Sequence, residues 1–213
     1  VIKRNVRFPC GDLKLEGTYF ECKTGETAPA VVVCHPHPLY GGSMHNNVTL
    51  AIAEALARHG INTLLFNFRG VGSSQGSYGG GIAEQEDIKA ALTFLQKELC
   101  SDSYLLGLAG YSFGAGVALP VACQDERVCA VALISPYIED RRYDLLAGCT
   151  IPKLIVGGSR DDLVLPDEVR LYADKAAEPK EFKIIEGADH FWMGYERELT
   201  VEVSQFFGRF MER

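Results

Sequence analysis

Gly110-Tyr111-Ser112-Phe113-Gly114 stands between an apolar, strand-like run, Tyr104 to Ala109, and a small-residue helical run, Ala115 to Ala122. A serine on so sharp a strand-to-helix turn is held in a strained backbone conformation. A side chain two positions to either side would strike the adjoining strand or helix, and Gly110 and Gly114 remove those side chains. The five residues read as a nucleophile elbow with Ser112 at its tip.

Outward from this turn the chain alternates short apolar runs with helical patterns from residue 30 to its end, after an N-terminal hairpin that turns at Cys10-Gly11-Asp12. Such alternation predicts an α/β fold with a mostly parallel twisted sheet flanked by helices, and the hairpin adds an antiparallel start. Strands are expected near 30–34, 61–67, 104–109, 128–134, 153–157 and 181–185, where β-branched and leucine-rich centres suit burial on both faces. Apolar residues at three- and four-residue spacing predict helices over 46–59, 82–99, 113–123, 166–177 and 194–212. Neither a linker nor an internal repeat divides residues 1–213, so a single domain is expected. In an open sheet of this kind ligands bind beyond the carboxyl ends of the strands. The loops there are His35 to Met44, Arg69 to Gly81, Gly110 to Phe113, Ser135 to Asp140, Gly158 to Val164 and Gly187 to Trp192.

Composition narrows the partners. With 213 residues, 47% of them hydrophobic, the chain can bury a full core, and a net charge of -7 argues against nucleic acid or an anionic membrane. The longest apolar runs are far shorter than a membrane span. Seven cysteines, Cys10, Cys22, Cys34, Cys100, Cys123, Cys129 and Cys149, are odd in number, form no Cys-x-x-Cys pair and fall mostly in apolar runs, as packed free thiols do. Together with a strand-like start at Val1-Ile2-Lys3-Arg4 that carries no apolar signal core, they suggest a cytoplasmic protein.

A serine hydroxyl is a poor nucleophile at neutral pH and needs an imidazole to take its proton and a carboxylate to orient that imidazole. Both lie downstream of Ser112. Gly158-Ser159-Arg160-Asp161-Asp162 follows the strand at 153–157, and Gly187-Ala188-Asp189-His190 follows the strand at 181–185. Two carboxylates, Asp161 and Asp162, are thus available to His190.

The order Ser, Asp, His on this strand alternation resembles the α/β-hydrolase superfamily over essentially the whole chain. Cys34-His35-Pro36-His37-Pro38-Leu39-Tyr40-Gly41-Gly42 and Phe66-Asn67-Phe68-Arg69-Gly70-Val71-Gly72 are similar to a small, capless branch near the dienelactone-hydrolase-like proteins. In that family's Gly-x-x-Asp-x-x-Val pattern the acid aligns with Asp161, three residues after Gly158 and three before Val164. Dienelactone hydrolases proper carry cysteine at the elbow where this chain has Ser112, so their substrate does not transfer. Fewer than twenty residues separate Ile134 from Lys153, where the superfamily's lids are inserted, which leaves room for one short helix and an open site.

Stabilising a developing oxyanion needs fixed donors, and the Phe113 N–H is the first. Pro36 and Pro38 have no N–H, so His37 between them is the second, on a loop stiffened by both prolines. Tyr40, Tyr78, Tyr137 and Trp192 fall in the carboxyl-end loops and are candidates to line a substrate pocket.

Plainer readings cover the remaining features. His35, His37 and His45 make an unconvincing metal set on a proline-shaped loop, and Cys34 reads as a packed thiol. Gly70 to Gly81 match neither dinucleotide nor P-loop patterns. Arg69 reads as structural, and Glu84, Glu86 and Asp87 suit the positive end of the helix at 82–99. The sequence thus predicts a serine hydrolase of carboxylic esters or thioesters acting on a small-molecule ester, with no metal or organic cofactor. Alternatives are an acyltransferase or peptidase with the same three side chains, or a non-catalytic ligand-binding protein of this fold. No feature sets an oligomeric state.

Overall fold

In a computed structural model of the chain, which describes residues 1–22, 29–99, 105–137 and 143–211, eight strands form one sheet. Cys100, Tyr104, residues 138–140 of the expected carboxyl-end loop and residue 212 of the expected last helix lie outside the described residues. β1 (Ile2–Cys10) and β2 (Leu13–Glu21) make the antiparallel hairpin, and Gly11 at its turn takes φ 57°, a left-handed conformation open to glycine. The remaining strands are β3 (Ala30–Cys34), β4 (Asn62–Phe66), β5 (Leu106–Tyr111), β6 (Val128–Ile134), β7 (Lys153–Gly158) and β8 (Lys180–Ile185). They stand in the order β1-β2-β4-β3-β5-β6-β7-β8, antiparallel from β1 to β4 and parallel from there to β8.

Every residue of β3, β4, β5 and β7 is buried, as suits mostly apolar strands covered on both faces; the polar residues Asn62, Thr63 and Lys153 at the starts of β4 and β7 are buried with them. α1 (Asn47–Arg58) and α6 (Glu196–Met211) cover one face, packing Ile52, Leu56, Val203 and Phe206 on Val31, Val33 and Ala109. α2 (Glu84–Leu99), α3 (Phe113–Gln124) and α5 (Pro166–Lys175) cover the other, with Ile88, Leu92, Val117 and Val169 against Val32, Leu64 and Leu108. The expected strands and helices agree with these to within two residues. Among the described residues, no helix is long and apolar enough to cross a membrane.

The topology singles out one place for chemistry. β3 lies between β4 and β5, so the chain leaves β3 toward one side of the sheet and later continues from β5 toward the other. The loops after β3 and β5 therefore diverge and leave a crevice between them, the switch point at which open α/β sheets bind ligands. Between β6 and β7 the element described is one short helix, α4 (Tyr143–Gly148).

One expectation is corrected here. Cys123 and Cys149 are not separate packed thiols but a disulfide with Cα atoms 5.1 Å apart, tying the end of α3 to the residue after α4. No spacing rule links cysteines 26 residues apart; only the packing of α4 against α3 brings them together. The cysteine argument for a reducing compartment falls with it. Cys10, Cys22 and Cys34 are free and buried, and burial pushes the Cys34 thiol far up, as expected of a packed side chain.

The glycines of the elbow are sterically required. A Cβ on Gly110 would lie 2.5 Å from Gly114 O and 2.6 Å from Ala115 Cα, in the first turn of α3. One on Gly114 would lie 2.5 Å from Cys34 O and 2.6 Å from His35 O, at the end of β3. All of these neighbours are backbone, which cannot swing aside. Gly114→Ala is therefore expected to lower the free energy of unfolding by about 2 kcal/mol or more, read from urea midpoints. A variant as stable as the parent would contradict this packing.

Candidate active site

β5 runs through Gly110 and Tyr111 to Ser112, which takes φ 54° and ψ -116° before α3 begins at Phe113. A non-glycine residue there is strained, and the surrounding bonds hold it: Ser112 N–H donates to Ile134 O at 2.9 Å, and Ser112 O accepts from Ala115 N–H at 3.0 Å. The turn lifts the Ser112 side chain above the carboxyl edge of the sheet.

His190 and Asp161 reach the same point from two adjoining loops. The loop after β7 is laced to the loop after β8 by Ser159 N–H to Ile185 O at 3.0 Å, Arg160 N–H to Ala188 O at 2.9 Å and Gly187 N–H to Ser159 Oγ at 2.8 Å. His190 Nδ1 then stands 3.0 and 2.9 Å from the two Asp161 oxygens, and its Nε2 stands 3.1 Å from Ser112 Oγ. Asp161 is buried yet well supplied with donors, since Leu163 N–H and Val164 N–H reach its Oδ1 at 3.0 and 2.8 Å. Burial pushes its carboxyl up, but hydrogen bonds from His190 and the Val164 N–H outweigh it and hold the group below the usual carboxylate range. Of the two neighbouring carboxylates, Asp161 faces the imidazole, while Asp162 is exposed.

Phe113 is the first residue of α3, where a backbone N–H has no intrahelical acceptor. Opposite it, the loop after β3 turns through a short 3₁₀ segment, Pro38–Tyr40, and the His37 N–H has no acceptor among the described residues. The His37 ring packs 4.7 Å from the Phe113 ring and 5.2 Å from the Tyr78 ring, and Tyr78 Oη is 3.2 Å from its Nε2. Its Nδ1 accepts from Leu39 N–H at 3.2 Å.

His35 explains how this loop keeps its shape. It is fully buried, with Nδ1 at 2.6 Å from Pro36 O and Nε2 accepting from Phe68 N–H at 3.1 Å. Both bonds are satisfied together by the neutral ring carrying its proton on Nδ1. The Pro36 carbonyl and the His37 N–H share one planar peptide, so anchoring the carbonyl also fixes where the N–H points. With both ring nitrogens occupied, His35 has neither left for a metal.

The candidate pocket residues divide. Tyr40 is 87% and Tyr137 59% exposed at the rim, and Tyr137 N–H donates to Ser112 O at 3.3 Å. Trp192 is not at the rim. It is fully buried, packed in the core between the sheet and α6, with Nε1 donating to Ser135 Oγ at 3.2 Å, so its expected place in a substrate pocket is corrected. The acidic start of α2 also does more than favour a helix end. Gly79 and Gly81 N–H donate to the Glu84 carboxylate at 2.6 and 2.8 Å, and Asp87 binds Arg69 through contacts of 2.7 to 3.1 Å. These pairs shape the glycine-rich rim, and Arg69 is structural. Sequence reasoning missed the groups that hold the histidine loop, Tyr111 Oη donating to His190 O at 2.6 Å, Ser135 Oγ accepting from Trp192 Nε1 and Asn47 Nδ2 donating to Phe191 O at 3.0 Å, because no local pattern links residues so far apart in the chain.

A family model described as Alpha/beta hydrolase domain matches residues 29–204. The chain is similar to an uncharacterized protein of Rickettsia prowazekii, 34% identical over 201 residues that cover 91% of this chain and 84% of that one. Among solved structures it is similar to an alpha-beta serine hydrolase homologue from Coxiella burnetii, with 34% identity, a TM-score of 0.87 and coverage of 96% and 98% of the two chains. It is also similar to a serine hydrolase without lid from Xanthomonas campestris, with 28% identity, a TM-score of 0.82 and coverage of 99% and 96%.

Burial pushes the His35 imidazole from an ordinary 6.5 down to about 4, against the smaller upward pull of its bond to Pro36 O. Between those values the unfolded chain binds a proton that the folded chain does not, so stability falls as pH falls through this window. The unfolding free energy is expected to drop by roughly 1–3 kcal/mol between pH 6.5 and 4, and by less in His35→Asn. Asp161, whose depressed carboxyl protonates at the acid end, contributes alike to both proteins. Urea titrations at several pH values check this, and equal slopes in the two proteins would refute it.

Proposed function

We propose that this chain, which belongs to the alpha/beta hydrolase family, is a serine hydrolase that cleaves carboxylic esters and thioesters through an acyl-enzyme on Ser112. The observation that carries the reading is the continuous path from Asp161 through His190 to Ser112, with each step 2.9 to 3.1 Å long. Proton transfer needs that contact, and three residues so far apart in sequence have no structural need to meet.

In the mechanism, His190 Nε2 takes the Ser112 proton as Oγ attacks the ester carbonyl, and Asp161 holds the imidazole with its other proton on Nδ1. The carbonyl oxygen becomes an oxyanion directed at the Phe113 and His37 N–H groups, and loss of one such donor typically slows the reaction about 100- to 1000-fold. His190 next gives its proton to the departing alcohol or thiol as the C–O or C–S bond breaks. Water then enters, gives a proton to His190 and releases the acid by the same steps in reverse.

The rim supports an apolar substrate. Leu39, Tyr40, Ile82, Tyr137, Leu163 and Phe191 are large hydrophobic side chains exposed on the carboxyl-end loops. Apolar surface concentrated around a site favours apolar ligands. With one short helix described between β6 and β7, the site is open to small or extended esters. Esters, thioesters and amides use the same machinery, and graded p-nitrophenyl esters run against acyl-CoA thioesters and aminoacyl amides rank them directly.

A fluorophosphonate probe is expected to label the parent stoichiometrically at Ser112 and to leave Ser112→Ala and His190→Ala unlabelled. Failure of the folded parent to label would leave a ligand-binding protein of this fold. Asp161→Asn is expected to lower kcat by about 10⁴-fold. Asp162→Asn should stay near the parent in the same esterase assay, and a reversal of the two would reassign the acid.

A further inference from the structure

Among the described residues three non-glycine positions have positive φ: Ser112 at 54°, Ser135 at 39° and Trp192 at 60°. Such residues are held only where the surroundings over-determine them, and they cluster at functional sites. The first is the proposed nucleophile. The other two are fully buried and joined to each other, Trp192 Nε1–H donating to Ser135 Oγ at 3.2 Å. His190 lies two residues before Trp192. A second buried bond reaches the same loop, Tyr111 Oη–H donating to His190 O at 2.6 Å, with the Tyr111 ring 5.5 Å from the imidazole.

Tyr111 ends β5 and Ser135 immediately follows β6, its neighbour in the sheet, paired in register up to Tyr111 and Ile134. The strand end that presents Ser112 therefore also grips the backbone of the base. The separation of Ser112 Oγ from His190 Nε2 is set by one peptide link and one hydrogen bond across the sheet edge, instead of by the whole loop from Gly187 to Tyr195. The Ser135 hydroxyl, having accepted from the indole, has its own proton free to donate, and it lies close enough to Asp161 to help hold that carboxyl below the usual range. One buried hydroxyl thus bonds the loop that carries the imidazole and stands beside the carboxylate.

We infer that Tyr111 and Ser135 are positioning residues that clamp His190 at reacting distance from Ser112, through the Tyr111 hydroxyl on the His190 carbonyl and the Trp192 indole on the Ser135 hydroxyl. Neither touches substrate. The inference rests on the reading of Ser112 and His190 as nucleophile and base.

The clamp can be separated from plain stability. Ser135→Gly removes the hydroxyl while relieving the left-handed backbone, so it is expected to unfold no more easily than the parent. Tyr111→Phe keeps the ring and removes only its hydroxyl. Each is expected to lower kcat and the rate of fluorophosphonate labelling about 10- to 100-fold, because sub-ångström displacement of a base is costly, while KM stays within about 2-fold. Trp192→Phe should reproduce the Ser135→Gly effect, since it breaks the same bond from the other side. The inference is overturned if Ser135→Gly and Tyr111→Phe keep parental kcat and labelling rate. It is equally overturned if their losses merely follow lowered thermal midpoints. Parental rates in these variants with no labelling of Ser112→Ala would sink the clamp alone, whereas an unlabelled parent would sink the clamp together with the reading beneath it.

Discussion

The tight turn at Ser112 is the constraint on which the remainder depends. For a strand to pass into a helix within one residue, that residue must take a left-handed backbone, and the residues two positions before and after must lack a Cβ. Gly110 then lies against the start of α3, and Gly114 lies against the carbonyls of Cys34 and His35 at the end of β3. The turn thereby fixes α3 on β5 and presses α3 against β3, whose following loop carries His37. One backbone constraint brings the serine hydroxyl, the Phe113 N–H and the His37 peptide to the same crevice.

The sheet order supplies the other half of the site. Because β6, β7 and β8 follow β5 in parallel, their carboxyl-end loops lie side by side along one edge. Asp161 and His190 occupy the last two of these, and the loops are bonded to each other before either side chain reaches Ser112. The electrostatics suit the arrangement. Asp161 is buried, but hydrogen bonds from His190 and the Val164 N–H hold its carboxyl below the usual range, while burial holds His35 neutral as a structural brace. Two histidines on one sheet edge thus take different roles because one meets a carboxylate and a hydroxyl and the other a carbonyl and an N–H.

The differences from expectation share a cause. Trp192 falls in a carboxyl-end loop by sequence, and such loops carry pocket residues, yet its left-handed backbone turns the ring into the core beneath the loop. Cys123 and Cys149 are ordinary apolar-run cysteines by sequence, yet α4 packs against α3 and joins them. Glu84 and Asp87 suit a helix N-terminus by sequence, yet their side chains bind the Gly79 to Gly81 loop and Arg69. In each case a local rule was satisfied, and a partner distant in sequence decided what the side chain does.

The amino-acid sequence by itself determined the α/β architecture, because short runs rich in Val, Leu and Ile suit strands of a sheet covered on both faces, and helical spacing fills the gaps between them. It also determined the elbow, because no residue other than glycine fits at 110 and 114. It brought Asp161 and His190 forward as candidates through their places after β7 and β8. Only the tertiary structure decided that Asp161 and not Asp162 faces the imidazole, that His35 braces the His37 peptide, and that Tyr111 and Ser135 hold the histidine loop. Those outcomes depend on which carbonyls and hydroxyls meet across strands that are neighbours in space and far apart in the chain, and no local pattern records such distances.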